Sequence, residues 1–483
     1  MSRHPVRAGA TAIARLPMDP LLLLFVGMVI VIAGILWLRL HAFVALLAAG
    51  VTVAVLTPPA AIERFALEQG ATAEAAAAQA QEPLGTKLAK RFGTTTAQLG
   101  LLIAMASIVG ISLLASGGAE RIVRSMLSVL GEGRAPLVFG VSGFLLGIPM
   151  FFDTVFLLLI PLARATALRT GRNYLLYVLC IAAGTTMTHS LVPPTPGPLF
   201  VANALGVDIG LMMMGGLILG AATASVGGLY AWWANRQWPV GVPALAGAPP
   251  QLTERPERDL PPLWAALLPI ALPVVLISAQ TISHTVAPAS EFAAVMRQIG
   301  HPNIALSLAA VVALGTLLWQ QRGDRTVVRT HVQTALADAG MIILVTAAGG
   351  IFGGMLQETG VGLRIKDLAL EYRIAILPLA FFVTALVRIG QGSATVAMVT
   401  SVGILGGFGS AETLGFHPLY LALVIGCGSK PIPWMNDSGF WVICKMSGLR
   451  EVDTLRGFSA MLTLMGLAGF ILVLLAAWLW PLV

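Results

Sequence analysis

The sequence is short of charge. Of its 483 residues, 11% are Asp, Glu, Lys or Arg, whereas 57% are hydrophobic and 52 are glycine. A soluble globular protein carries about 25% charged residues, because its surface has to be covered with polar groups. The composition therefore excludes a soluble enzyme or a disordered chain of this length and predicts a polytopic membrane protein.

Cysteine is scarce as well. Cys180, Cys427 and Cys444 lie in or beside apolar runs, at spacings that fit neither a metal site nor a disulfide framework. The net charge of +7 comes from Lys and Arg in short segments between apolar runs, which is typical of membrane loops rather than of a nucleic-acid-binding surface. A P-loop is also missing. We therefore expect no nucleic acid, metal, cofactor or catalytic residue, and transport driven by an ion gradient or by the substrate itself.

Long apolar runs are abundant. A membrane helix needs about 20 apolar residues, and about a dozen runs approach that length, so the predicted fold is all-α with about 12 membrane segments. Several runs are broken by Gly and Pro. The runs are 20–38, 41–57, 98–116, 136–165, 174–192, 208–233, 261–282, 303–320, 340–357, 374–408, 417–433 and 457–482.

Polar stretches divide the chain into five predicted parts. An arginine-rich loop at 321–334 is placed in the cytoplasm by the positive-inside rule, and the N terminus is expected on the same side of a cell inner membrane. The parts are 1–97, N-terminal helices and an interfacial segment; 98–233, transport repeat 1; 234–335, a linker and connecting helices; 336–450, transport repeat 2; and 451–483, a C-terminal membrane helix.

An internal repeat supports this division. Segments 113–122, 147–163 and 175–198 resemble segments 355–365, 388–403 and 419–440 at a nearly constant offset. The loop 164–173 is rich in arginine and its counterpart 404–417 has no Lys or Arg, which favours opposite orientations, although other paired loops are basic in both units. Inverted repeats with matched broken helices are typical of secondary transporters.

Matched helix breaks predict the substrate site. The breaks are expected within 147–153, 184–198, 389–396 and 428–441. Broken helices inside a membrane persist where they line a cavity, and the exposed N–H groups of new helix starts suit a carboxylate. Hydroxyl and amide groups at the breaks suit a polyhydroxy substrate. These are Thr185, Thr186, Thr188, Ser190, Thr195, Ser393, Thr395, Ser429, Asn436 and Ser438.

Ionisable residues at membrane depth are a sharper signal, because burying a charge there is costly. Asp153, His189 and Asp437 are candidates for proton coupling or substrate contact. Lys430 and Arg388 are either anion ligands or partners of a neighbouring carboxylate. Glu358 is a weaker candidate at an expected hairpin tip, and the remaining histidines, His41 among them, are expected at the surface.

Five motifs resemble those of the gluconate permease family, within the ion transporter superfamily. They are GIPMFFDTVFLLLIPLA, THSLVPPTPGP, AAGGIFGGMLQETG, RIGQGSATVA and NDSGFW, and the resemblance covers about residues 98–450. It implies proton symport of gluconate or related sugar acids, inverted repeats with re-entrant hairpins, and a homodimer. The alanine-rich segment 66–82 looks like an insertion. By position, the resemblance implies substrate and proton contacts near Asp153, Thr188, His189, Gln391, Ser393, Asn436 and Asp437.

The residues leave three alternatives open. A sodium-coupled carrier of a carboxylate or of an amino acid such as D-serine would use similar breaks. A membrane-embedded enzyme could use Asp153, His189 and Asp437 as an acid–base set, although an enzyme site needs no paired breaks. A passive channel would give flux without accumulation.

Overall fold

The structure, a computed structural model, describes residues 19–68, 70–242, 256–361, 364, 376–405, 414–435 and 437–482. Helices make up its regular secondary structure in these ranges, where no strand occurs. The first eleven helices are α1 Pro20–Leu36, α2 Ala42–Leu56, α3 Pro59–Glu68, α4 Ala73–Gln81, α5 Leu84–Ala115, α6 Gly118–Leu130, α7 Ala135–Leu146, α8 Phe152–Thr170, α9 Tyr174–Leu191, α10 Pro196–Ala204 and α11 Ile209–Gln237.

Nine helices follow in the second part of the chain. They are α12 Leu263–Val286, α13 Glu291–Ile299, α14 Pro302–Gln320, α15 Arg325–Glu358, α16 Ile376–Gln391, α17 Ala394–Leu405, α18 Pro418–Gly428, α19 Ser438–Ser447 and α20 Glu451–Leu479. A π-helical turn, Leu455–Ser459, interrupts α20 near its start.

Seven of the described helices are long and apolar enough to cross a membrane, counting α9 and α10 together, or up to nine if each of two bent pairs is one span. The bent pairs are α2 with α3 and α6 with α7. The predicted number was about 12 because the prediction also counted apolar runs that form shorter helices, such as α16, α17 and α18, each too short to cross alone.

The ends of the helices follow from local sequence. Asp208 and Asp324 begin α11 and α15, where each carboxylate accepts backbone N–H groups of the first turn, Leu211 N at 2.9 Å and Thr326 N at 2.8 Å respectively. Gly171 ends α8 in the left-handed region at φ +69°. These three helix ends are therefore determined by single residues beside them.

The segment formed by α9 and α10 lies at the centre of the protein. Its apolar stretch is almost entirely buried, and it packs against α7, α8 and α11. A second group forms around α15, which packs against α2, α5 and α17. A helix that is apolar on all sides fits such an interior position, because no face has to meet water.

Glycines allow the closest helix contacts. A Cβ atom on Gly184 of α9 would lie 2.1 Å from the carbonyl oxygen of Gly140 in α7. On α15, a Cβ atom on Gly353 would lie 3.0 Å from Cα of Gly403 in α17. The glycine-rich block of α15 therefore serves close helix packing.

The helices extend beyond several boundaries that the sequence suggested. Helix α5 begins at Leu84 and crosses the predicted boundary between residues 97 and 98. Helix α11 crosses the boundary between 233 and 234 and ends at Gln237, and α15 begins at Arg325, before the boundary between 335 and 336. Apolarity alone marks the part of a helix that lies in lipid, whereas these helices continue through polar residues outside it.

The contact between α7 and α9 predicts a stability difference between two glycine substitutions. We expect Gly184→Ala to lower the free energy of unfolding by about 1–3 kcal/mol, because the new methyl group overlaps a backbone carbonyl. Gly228→Ala in α11 is the matched control, since its Cβ meets nothing within 4 Å. That control should be neutral or stabilising by up to about 1 kcal/mol through helix propensity. Thermal unfolding of the purified variants in detergent measures both, and equal melting temperatures would contradict the contact.

Candidate functional site

Four helix breaks lie around one cavity. They separate α7 from α8 at 147–151, α9 from α10 at 192–195, α16 from α17 at 392–393, and α18 from α19 at 429–437. Each break lies within its predicted stretch but is shorter, since Gly184–Leu191 is helical. The cavity has a volume of about 730 Å³.

The four helices that follow the breaks all begin at this cavity. Its lining includes Phe152 and Asp153 of α8, Pro196 of α10, Thr395 of α17 and Ser438 of α19. The first N–H groups of a helix have no partner within the helix, and the helix dipole makes this end positive. Four positive helix ends therefore meet at the cavity, which favours an anionic ligand.

Arg388, in the last turn of α16, holds the two breaks of the second part of the chain. Its Nε donates to the Ser429 carbonyl at 2.9 Å, and its terminal nitrogens donate to the Gly392 carbonyl and to the Asp437 carboxylate. Arg388 and Asp437 are 4% and 5% exposed. Of the two roles considered for Arg388, these contacts give it the role of carboxylate partner and backbone donor. Gly392 has φ +85°, a conformation that glycine adopts without strain.

Side chains satisfy the backbone of the long break between α18 and α19. Thr463 accepts the N–H of Ile432 at 2.9 Å, and the Ser459 hydroxyl in the π-helical turn donates to the Pro433 carbonyl. Trp434 Nε1 donates to the Ile389 carbonyl at 2.9 Å. The segment between α18 and α19 is therefore held in a defined conformation by hydrogen bonds to α16 and α20.

Lys430 connects the two parts of the chain. Its Nζ donates to the Thr186 carbonyl of α9 at 2.6 Å, and the residue is 2% exposed. An ammonium group has three protons to donate, and Lys430 Nζ makes no further hydrogen bond to a described residue. Because Lys430 also lines the cavity, its remaining donors are available to a bound anion.

Asp153 and His189 differ from Asp437 in their partners. Asp437 accepts from Arg388 and also from the N–H of Gly439 at 2.7 Å, which caps α19. Asp153 opens into the cavity and has no hydrogen-bond or ion-pair partner among the described residues. Nδ1 of His189 is buried and has no hydrogen-bond partner among the described residues. The His189 ring contacts the Phe151 ring edge-on, with 6.3 Å between the ring centroids.

The cavity brings together most of the residues that the sequence selected. Their side chains come from both parts of the chain and from all four of the predicted break segments. The cavity lining contains Asp153, Thr186, His189, Ser393, Thr395, Asp437 and Ser438, together with Arg388 and Lys430.

Other selected residues lie elsewhere. Thr188 donates to the Gly184 carbonyl at 2.7 Å and to the Phe144 carbonyl at 3.1 Å, and the Ser429 hydroxyl donates to the Gly426 carbonyl at 2.7 Å. Neither residue lines the cavity, and both hydroxyls donate to the backbone. The side chain of Gln391 and the whole of Asn436 lie outside the described residues. Glu358 pairs with Arg91 at 2.8 Å in a different pocket.

Sequence reasoning missed one wall of the cavity. Asp338 and Thr346 of α15 line it, as does His41. His41 is exposed, as expected for a surface residue, and its Nδ1 accepts the Phe43 N–H at the start of α2 at 3.2 Å. The available signal was the position of Asp338, two residues before an apolar run.

The charges of the cavity favour an anion bound together with a cation. Three carboxylates, Asp153, Asp338 and Asp437, and two cations, Arg388 and Lys430, line the cavity. The helix ends attract an anion, but the side chains alone carry one excess negative charge when His41 and His189 are neutral. A proton or a metal cation that enters with the anion offsets the further negative charge that the anion brings. In the described part of the chain, no group of three or more His, Cys, Asp or Glu residues is placed to hold a metal ion.

Comparison with known proteins identifies related chains. Residues 19–479 match the model of the GntP family permease. An uncharacterized permease of Haemophilus influenzae is 31% identical over 446 residues, 90% of this chain and 87% of the relative. A gluconate permease of Pseudomonas aeruginosa is 34% identical over 388 residues, 80% of this chain and 85% of the relative.

A solved structure shares the fold. The YdaH transporter of Alcanivorax borkumensis superposes with a TM-score of 0.59 at 16% sequence identity, covering 83% of this chain and 89% of that one. At this identity the likeness concerns the fold alone.

The buried pair of Arg388 and Asp437 predicts strong energetic coupling. Arg388→Met and Asp437→Asn should each lower the free energy of unfolding by about 3–5 kcal/mol, because each leaves a buried charge without its partner. The asparagine keeps an oxygen that can cap α19. We expect the double variant to lose less than the sum of the two single losses, as measured by unfolding in mixed micelles. Additive losses would show that the pair is not coupled.

Proposed function

The chain belongs to the GntP family of permeases and is a multi-pass membrane transporter, and from this premise we propose that it imports gluconate or a related sugar acid with protons. The observation that carries the proposal is the convergence of four positive helix ends, Arg388 and Lys430 on a cavity that also contains three carboxylates. The gluconate permease of Pseudomonas aeruginosa supports the choice of substrate.

In the proposed complex, the substrate carboxylate binds Lys430 and the N–H groups at the starts of α8 and α17. Lys430 keeps its bond to the Thr186 carbonyl and donates its other protons to the anion. The hydroxyl groups of the sugar acid meet the polar side chains at the breaks. We assign these contacts to Thr186, His189, Ser393, Thr395, Asp437 and Ser438, with Gln391 and Asn436 included from the sequence alone.

Thr188 and Ser429 take an indirect part in this proposal. Thr188 satisfies the Phe144 carbonyl where α7 ends, and the Ser429 carbonyl accepts from Arg388. Both therefore hold the shape of the breaks instead of contacting the substrate.

Asp153 is the proposed proton acceptor. Asp437 is engaged by Arg388 and by the N–H of Gly439, so protonating it would break two existing contacts. Asp153 has no such partner in the described ranges and opens into the cavity. His189, whose Nδ1 also lacks a partner there, is the second group on the proposed proton path.

The order of helices supports two inverted repeats as the moving parts. A long helix, two broken pairs and a second long helix occur within α5 to α11, where α6 follows the first long helix, and again within α15 to α20. The first set covers the predicted repeat 98–233, and the second covers the predicted repeat 336–450 together with the C-terminal membrane helix. We propose that one unit moves against the other around the cavity. About 12 membrane segments including hairpins, a cytoplasmic N terminus, an inner-membrane location and a homodimer complete the proposal.

Uptake of labelled gluconate into proteoliposomes tests the substrate and the coupling ion. We expect accumulation above the external concentration with an inward proton gradient, and none with an inward sodium gradient or without a gradient. Accumulation with sodium alone would replace proton coupling by sodium coupling. Equilibration without accumulation would indicate a passive channel, and a chemically altered product in detergent would indicate an enzyme. If correctly inserted protein takes up no gluconate, the proposal that gluconate is the substrate is wrong.

Asp153→Asn tests the proton acceptor. The variant should lose at least about 90% of uphill uptake, because an amide cannot take up the proton, while exchange of labelled for unlabelled gluconate without a gradient continues. Asp324→Asn is the matched control at another helix start, where the side-chain oxygen still caps α15. Normal accumulation by Asp153→Asn would remove Asp153 from the proton path.

A further inference from the structure

A second pocket lies away from the transport cavity. It is formed by α4, the first turns of α5 and the end of α15, and has a volume of about 730 Å³. Most of its polar lining residues are charged, namely Glu82, Lys87, Lys90, Arg91 and Glu358, and the others are Gln79, Gln81 and Thr94.

Two of the three positively charged side chains in this pocket form ion pairs, and the third forms none with a described residue. Arg91 donates to Glu358 at 2.8 Å, and Lys90 pairs with Glu82. Lys87 is 7% exposed, and its ammonium group has no hydrogen-bond or ion-pair partner among the described residues. A buried charge without a partner is costly. The pocket therefore lacks one negative charge at Lys87.

The start of α5 lacks a negative charge at the same place. No side chain caps the helix, whose N-cap is Pro83, and its first turn contains no acidic residue. The N–H groups of the first turn, at Leu84, Gly85 and Thr86, therefore have no partner within the helix. Lys87 then adds a positive charge at the positive end of the helix dipole, where it is unfavourable. Space is open beside Gly85, where a Cβ would meet nothing within 4 Å.

We propose that this pocket binds a phosphate group. An anion beside Lys87 would neutralise the buried ammonium and accept N–H groups from the start of α5. Lys90 and Arg91 are already paired with Glu82 and Glu358, so the one remaining positive charge suits a phosphate with a single negative charge, such as a phosphodiester or dihydrogen phosphate. The site is separate from the transport cavity, and none of its residues lines that cavity.

The level of the pocket fits a phospholipid headgroup. Helix α5 has 32 residues, about 48 Å at 1.5 Å per residue, against a hydrocarbon core of about 30 Å. Its apolar part is C-terminal, so Lys87 and Arg91 lie in the polar excess at the other end. Free phosphate has the same chemistry, and the experiment has to distinguish the two sources. Helix α4 lies within the alanine-rich segment 66–82, so this wall of the pocket belongs to the segment that looks like an insertion.

The experiment measures binding in two arms. In the first, inorganic phosphate is titrated into the full-length protein in neutral detergent. In the second, the protein is placed in phosphatidylcholine nanodiscs with increasing phosphatidylglycerol, and the lipids retained are counted by native mass spectrometry. Saturable binding in either arm supports the site, and the arm that responds identifies the source. Binding in neither arm overturns the proposal.

Three variants assign the binding to Lys87. We expect Lys87→Gln to weaken binding by about tenfold, and Lys87→Arg to restore most of it. Lys90→Gln, at a side chain that is 68% exposed and so tolerant of substitution, should weaken it less. Lys445→Gln is the matched control, because Lys445 is equally exposed and also pairs with a glutamate, Glu451, and neither of these two residues lines the pocket. Unchanged binding by both Lys87→Gln and Lys90→Gln would overturn the site, whatever the outcome of the gluconate uptake assay.

Discussion

Every backbone group freed by a helix break inside a membrane has to find a partner within the protein or face a water-filled cavity, because lipid offers none. Arg388 meets this requirement for both breaks of the second part of the chain, through the carbonyls of Gly392 and Ser429 and the carboxylate of Asp437. Thr188 does the same for the end of α7. The cavity depends on these contacts, since without them the broken ends could not remain apart and open toward one another.

The electrostatics of the cavity follow from the same breaks. Breaking a helix turns part of its backbone into a new positive end, and four such ends face one space. The carboxylates of Asp153 and Asp338 oppose them. An arrangement of this kind binds an anion best when a carboxylate is neutralised at the same time. The proposed coupling of the anion to a proton therefore rests on charges that already line the site.

The helix breaks could be located from the sequence because Gly and Pro inside an apolar run indicate where a helix is interrupted. It could not give their limits, since Gly184 to Leu191 is helical despite three threonines and a histidine. It also grouped hydroxyls that behave differently. Ser438 lines the cavity, whereas Ser429 bonds back to Gly426. His41 and Asp338 reach the cavity through the packing of α2 and α15, and packing between distant segments is not encoded in local pattern. The family motifs identified the fold because they span both parts of the chain.

The threonines of α9 have a consequence for how the protein is made. Thr185 and Thr186 donate to carbonyls one turn back, Ile181 and Ala182, at 2.7 and 2.6 Å. These hydroxyls are satisfied by their own helix, so the segment can rest in lipid beside α7 and α8 before its later neighbours have been synthesised. Lys430 is added to the nascent chain 244 residues after Thr186. The most deeply enclosed helix of the finished protein can therefore stay in the bilayer while the second part of the chain is still being made.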